Sequence, residues 1–378
     1  MADGERGFHM LAPAAAGVLF PAETWHNHAS CVTELPNGDM LACWYYGSGE
    51  RSADDVMVEG ARWSLGDSGW SQRFVMADTR GYPDCNPCLF VDHRKRLWLV
   101  WVTVLANEWH TALLKYRRSD THDAPACPPW AWSEVIHVTP PDSYVDLVRR
   151  SVEIDRQRLA ESDTAAQTFL DNRLKLTEDK LFRRLGWMPR CRATVLRDGR
   201  IVLPLYSDGV DFSIMLLSDD DGDTWRTSAP LISICGVQPS VVERTNGDLV
   251  AYLRDNGPAP NRMMRAVSGD RGETWTTPEK TCMPNPGSGL EAIRLRDGRW
   301  LLVCNDTETG RHTLAIYESH DEGETWVNGR YLANDTHAEP RGRYHYPSMC
   351  QARDGSVWVT WTRQTDAGNT IAWARLEL

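Results

Sequence analysis

Ser218-Asp219-Asp220-Asp221-Gly222-Asp223-Thr224-Trp225 recurs as Ser268-Gly269-Asp270-Arg271-Gly272-Glu273-Thr274-Trp275 and as Ser319-His320-Asp321-Glu322-Gly323-Glu324-Thr325-Trp326. All three read Ser-x-Asp-x-Gly-x-Thr-Trp, and they begin about fifty residues apart. A constant period of that length marks an architecture in which one supersecondary unit repeats. The residue types suit a turn. Asp accepts hydrogen bonds from nearby amides, Gly supplies positive φ, and Trp packs the turn onto the adjoining strand.

A second periodicity counts the units. A turn followed by an apolar strand occurs six times. The first three copies are Pro36-Asn37-Gly38 before Met40–Trp44, His93-Arg94-Lys95 before Leu97–Trp101, and Asp198-Gly199-Arg200 before Ile201–Leu203. The others are Asn246-Gly247-Asp248 before Leu249–Tyr252, Asp297-Gly298-Arg299 before Trp300–Val303, and Asp354-Gly355-Ser356 before Val357–Val359. Asn-Gly and Asp-Gly are the preferred two-residue hairpin turns, and only the second copy lacks one. Degenerate forms of the octapeptide, Ser64–Trp70 and Ser119–Trp132, fill the early register. The next box follows after about twice the usual period. Residues 142–186 account for the excess, with Tyr144, Leu147, Val148 and Val152, then Phe169, Leu174, Leu181, Phe182 and Leu185, at helical spacing. Two helices are predicted there.

The octapeptide resembles the Asp-box of the sialidase (neuraminidase) superfamily. The resemblance implies an all-β fold, a six-bladed β-propeller, here one domain over residues 1–378 with a helical insertion at 142–186 between blades two and three. The last strand of such a ring usually comes from the other terminus, so residues 8–20 are expected to pair with Thr370–Leu376.

Composition narrows the function. The net charge is −11 and no Lys/Arg block stands out, which argues against nucleic-acid or anionic-membrane partners. No run of eighteen apolar residues offers a membrane span. Leu11–Phe20 has the character of a signal core, but Asp3 and Glu5 stand where basic residues belong. The expected location is therefore cytoplasmic, although an export signal removed upstream would leave no trace. The ten Cys read as buried, reduced thiols. Cys85-Asn86-Pro87-Cys88 has the spacing of half a zinc site, but no second pair completes it, so neither metal nor cofactor is expected. Most of the seventeen Trp read as packing residues. Trp25 and Trp109, near loop tips, are candidates for stacking on sugar rings.

In a propeller the innermost strand of each blade lines the central channel. The starts of these strands place His28, Asn86, Arg190, Arg192, Gln238, Tyr344, His345 and Tyr346 in one ring. Of Arg190 and Arg192, only one is expected to point into the channel. The superfamily holds a substrate carboxylate with three Arg, attacks the anomeric carbon with a Tyr activated by a Glu, and uses a loop Asp as acid/base. Arg254 is similar to the second Arg of that set, lying sixteen residues after Gln238, which stands where the family has its Glu. Arg311 is similar to the third Arg, and His28 occupies the place of the first. Tyr346-Pro347-Ser348 is similar to the segment of the nucleophile. Glu50-Arg51-Ser52-Ala53-Asp54-Asp55 covers the acid/base loop, with Asp55 favoured and Arg51 and Asp54 as neighbouring binding residues.

Two of these positions depart from the family. A phenol without a carboxylate base ionises near pH ~10 and is a weak nucleophile. Histidine lacks the bidentate fork that grips a carboxylate, but it titrates near ~6.5 and suits a general base. Three functions fit. The leading one is a glycoside hydrolase acting on a terminal acidic sugar of a carbohydrate partner. The second is a polysaccharide lyase in which His28 or Tyr346 takes the C5 proton of a uronic acid. The third is a carbohydrate-binding propeller without catalysis. The amphipathic insertion needs a surface to cover it, either the ligand mouth or a second subunit of a homo-oligomer.

Overall fold

Short apolar runs closed by tight turns fold as antiparallel hairpins, because the turn returns the chain beside itself in register. In the computed structural model, which describes residues 9–158 and 163–378, these hairpins build six four-stranded sheets. In five of the six inner hairpins the turn glycine (Gly38, Gly199, Gly247, Gly298 or Gly355) sits at φ 94–95°. In the second, Lys95 takes the left-handed position at φ 66°, a conformation that costs a side chain with a Cβ.

The sheets follow the chain. The innermost strands of blades one to six are His26–Glu34, Asp84–Val91, Thr194–Val195, Gly236–Glu243, Glu291–Arg294 and Arg343–Gln351. Blade six takes its outermost strand, Ala15–Val18, from the opposite end of the chain, with Ala15 opposite Arg375 and Val18 opposite Ala372. The ring therefore closes by the expected pairing. Of the 8–20 stretch named for it, residue 8 lies outside the described residues.

Each Asp-box folds as its residue types dictate. The Asp321 carboxylate accepts from the Thr325 amide and hydroxyl and from the Ser319 hydroxyl. Burial opposes ionisation, but these bonds together outweigh it and pull the carboxyl down to about 2. Asp220 and Asp270 repeat the pattern. Gly323, at φ 84°, has no room for a side chain: a Cβ there would lie 1.9 Å from the Tyr252 hydroxyl of the preceding blade. The boxes thus lock neighbouring blades together at the end of the ring opposite the strand starts.

Between blades two and three run α1 (Tyr144–Arg158), α2 (Thr164–Glu178) and α3 (Lys180–Arg184). Two helices were expected. The third arises because Asp179, where α2 stops, accepts from the Leu181 amide and starts a new turn. Tyr144, Val148, Val152 and Leu170 are buried in one core with Trp187 and Phe212, so the propeller itself covers the apolar stripe of the insertion. Among the described residues no helix is long and apolar enough to cross a membrane.

Candidate active site

Four innermost strands break register at corresponding points: between His28 and Cys31, Cys85 and Cys88, Val237 and Ser240, and His345 and Ser348. Each bulge holds one residue in the left-handed region: Ala29 (φ 55°), Asn86 (52°), Gln238 (55°) and Tyr346 (49°). A bulge re-aims its side chain, and such strain, about 1–3 kcal/mol per residue, persists only where the surroundings enforce it. Pro87, Pro239 and Pro347 follow three of the four. Proline has no N–H to donate to a ladder, so a bulge is where a strand tolerates it. The bulges turn Asn86, Gln238 and Tyr346 toward a polar cleft of about 370 Å³, which also touches Glu50, Trp109, Tyr206, Asp208, Asp211, Arg254 and Asn256.

Tyr346 is the hub. Its hydroxyl accepts from Arg254 at 3.0 Å and from the Gln238 amide at 3.3 Å. The Arg190 guanidinium lies 4.6 Å from its ring centroid, and the His28 ring 4.6 Å away on centroids. Arg311 lies 5.8 Å from the same ring and donates to His345 Nδ1 at 2.6 Å and to the Gly287 carbonyl at 2.7 Å. His28, Gln238, Arg254, Arg311 and Tyr346 therefore form one contact network. Burial, with His345, His26, Arg311 and Arg190 nearby, holds His28 well below the ordinary histidine range. Burial and Arg311 bring His345 to about 3. Both are neutral imidazoles at physiological pH, so neither supplies a third cation. Arg254 keeps its Nε buried and unpartnered.

The opposite wall is acidic. Asp208 stands just beyond the second strand of blade three, Ile201–Ser207. The residue is exposed where it borders the cleft, but protein atoms crowd its carboxyl. That burial is the main reason its pKa rises to about 6; Arg254 and Arg51 oppose the rise, and Asp211 and Glu50 add to it. Asp208 was not among the sequence candidates. The signal available was its place at the end of a second strand. Antiparallel pairing brings that end beside the start of the innermost strand, and Arg254 occupies the matching region of blade four.

The remaining candidates take other positions around or outside the cleft. Exposed Asp55 caps its own loop, accepting from the Ser48 amide at 3.0 Å and hydroxyl at 2.9 Å, and Glu50 of that loop borders the cleft instead. Asp54 accepts from Asn107 at 2.9 Å, and the Arg51 guanidinium lies 5.3 Å from the Trp109 ring centroid, so both join the loops of blades one and two. Arg190 is buried beneath Tyr346 and donates to the Pro347 carbonyl at 3.2 Å. Arg192 points away from the cleft and pairs with buried Glu291 at 3.3 Å. Tyr344 turns into the core and donates to Asp335 at 2.7 Å. Of the two candidate stacking tryptophans, Trp109 borders the cleft, whereas Trp25 stacks on Tyr46 with centroids 5.3 Å apart. Cys85 and Cys88 are buried thiols flanking the blade-two bulge. A larger groove, about 780 Å³ around Tyr252, Lys280 and Trp326, lies between outer strands on the Asp-box side. It has no part of the Tyr346 network.

Comparison with known proteins gives a consistent lineage. Residues 38–359 match the model of the BNR repeat-like domain. An anhydrosialidase of Macrobdella decora is 26% identical over 199 residues, 48% of this chain and 24% of that protein. A sialidase of Paraclostridium sordellii is 29% identical over 136 residues, 31% of this chain and 32% of that protein. The matches thus span about a quarter to a third of the length of these relatives. A protein of unknown function from Dyadobacter fermentans superposes with a TM-score of 0.70 at 19% identity, covering 97% of this chain and 99% of the other.

Proposed function

The chain belongs to the BNR repeat-like family within the sialidase superfamily, and from that premise we propose that it is a glycoside hydrolase removing a terminal acidic sugar from a glycan. The observation that carries the reading is one cleft in which Arg254, the Tyr346 hydroxyl and a carboxyl of raised pKa, Asp208, stand together. The names of the two relatives point the same way.

In this reading Arg254, which borders the cleft, receives the sugar carboxylate, and Arg311 lends charge from behind the Tyr346 ring. Asp208, protonated in a useful fraction near pH 6, gives its proton to the departing glycosidic oxygen. Tyr346 attacks the anomeric carbon as nucleophile, and water, deprotonated by the now ionised Asp208, then breaks the tyrosyl–sugar bond and frees the sugar. Arg254 and Gln238 both donate to its oxygen, so they stabilise that oxygen as it gives up its own proton. Neutral His28 beside the ring is the candidate acceptor of that proton. Trp109 offers a face for the sugar ring. Asp208 thereby takes the role that the family resemblance implied for Asp55.

A panel of 4-methylumbelliferyl glycosides of sialic, glucuronic and galacturonic acids tests this. Release of fluorophore with a free acidic sugar is expected. An unsaturated uronate, seen by its ultraviolet absorbance, would mean a lyase. Binding by calorimetry without turnover would mean a carbohydrate-binding propeller.

A further inference from the structure

Three features of the helical insertion converge on the acidic wall. First, Arg173 of α2 is buried, and its guanidinium donates to the main-chain carbonyls of Ser233 at 3.0 Å and Asp211 at 3.4 Å, with the Phe169 and Phe212 rings beside it. Second, Phe182 of α3 lies so close over Gly209 that a Cβ there would meet its ring at 2.9 Å. Third, the same Phe182 stacks on His110 with centroids 4.8 Å apart, and the Gly186 amide donates to the Ala112 carbonyl at 2.9 Å. Gly209 and Asp211 share a loop with Asp208, and His110 follows Trp109. The insertion therefore grips both loops that carry this side of the cleft.

A buried arginine is a poor device for stability alone, since apolar side chains of similar volume fill a core at least as well. What it provides is direction. Asp211 sits at φ 54°, a left-handed conformation that a side chain pays to adopt. Arg173 holds the carbonyl of that strained residue, three positions from Asp208.

We propose that the helical insertion is the positioning element of the cleft, with Arg173 and Phe182 holding the Asp208–Asp211 loop and the Trp109 turn against the propeller. Its consequence for catalysis rests on the reading of Asp208 as the acid. The positioning itself does not, and the two are measured separately.

Hydrogen exchange is followed in the full chain and in Arg173→Met, Arg173→Lys and Phe182→Ala, using peptides over 205–213 and 105–112 and, as a reference, 292–304. Either loss variant is expected to speed exchange in its loop peptides about tenfold, leaving the blade-five reference unchanged, because local openings need not involve the whole fold. Lys, which keeps the charge on a single nitrogen in place of the two that reach Ser233 and Asp211, should restore part of the protection. Wild-type exchange in both loops, or acceleration spread evenly over all blades, would overturn the proposal. With any glycoside that turns over, kcat should fall while KM holds, and the alkaline limb of the pH profile should move. If no glycoside turns over, the hydrolase reading fails and the exchange result still decides the positioning role.

Discussion

The Arg254 guanidinium donates to the Tyr346 hydroxyl at 3.0 Å although the two residues lie 92 positions apart. One comes from blade four and the other from blade six, and the bond spans the mouth of the channel. Gln238, also of blade four, donates to the same oxygen, so the blade-six phenol takes both of its donors from one other repeat.

Tyr346→Phe removes that shared acceptor and keeps the ring between Arg190 and His28. Turnover of the responsive glycoside should fall roughly a hundredfold or more, with the thermal midpoint nearly unchanged. A variant with full turnover would remove Tyr346 from the chemistry.

Asp208→Asn separates catalysis from stability. A carboxyl raised from the ordinary aspartate range to about 6 binds its proton more tightly in the folded chain. Its contribution is fully present below the unfolded pKa near ~4 and is lost as pH rises through about 6. Asparagine cannot ionise, so the variant should melt higher than wild type at pH 7.5 and with a similar midpoint at pH 4. Its kcat should drop about 10²–10⁴-fold, and the wild-type loss of rate above pH 6 should disappear from the residual activity. Melting curves at the two pH values and a pH–rate profile check this.

Arg192→Met tests the reassignment of Arg192 as a structural residue. It leaves Glu291, 3% exposed in its side chain, without its cation. Breaking a buried pair from one side costs about 3–5 kcal/mol. Chemical denaturation should register that loss, whereas KM for the responsive glycoside should stay within about twofold of wild type if Arg192 touches no substrate. A large rise in KM at intact stability would return it to the binding set.

Gly323→Ala probes the Asp-box contact between blades four and five. The new Cβ would collide with the Tyr252 hydroxyl and Trp300 ring at a φ that alanine disfavours. The combined penalty is about 2–4 kcal/mol. Gly247→Ala, at φ 95° with nothing near its Cβ, should cost only the conformational part, about 1 kcal/mol. Equal destabilisation of the two would mean that the box glycine is conserved in the repeat for its φ alone and not for the close approach.

The repeat, the blade count, the turn positions and the place of the insertion were all legible in the chain, because each rests on local chemistry. An Asp-box closes on itself within eight residues, and an Asn-Gly hairpin needs only its neighbours. Gln238 and Tyr346 were also within reach, because a repeat period tells which strand starts share one end of a ring, and Arg254 was reached through the family resemblance. The directions of side chains were not. Arg190 and Arg192 lie two residues apart, and packing sent one beneath Tyr346 and the other to Glu291. Asp55 and Glu50 sit in one loop, and only its fold decided that Asp55 caps Ser48 while Glu50 borders the cleft. Asp208 was invisible for a related reason. A single aspartate after a strand has no pattern of its own, and its raised pKa exists only because burial, Asp211, Glu50 and the arginines meet around it in three dimensions.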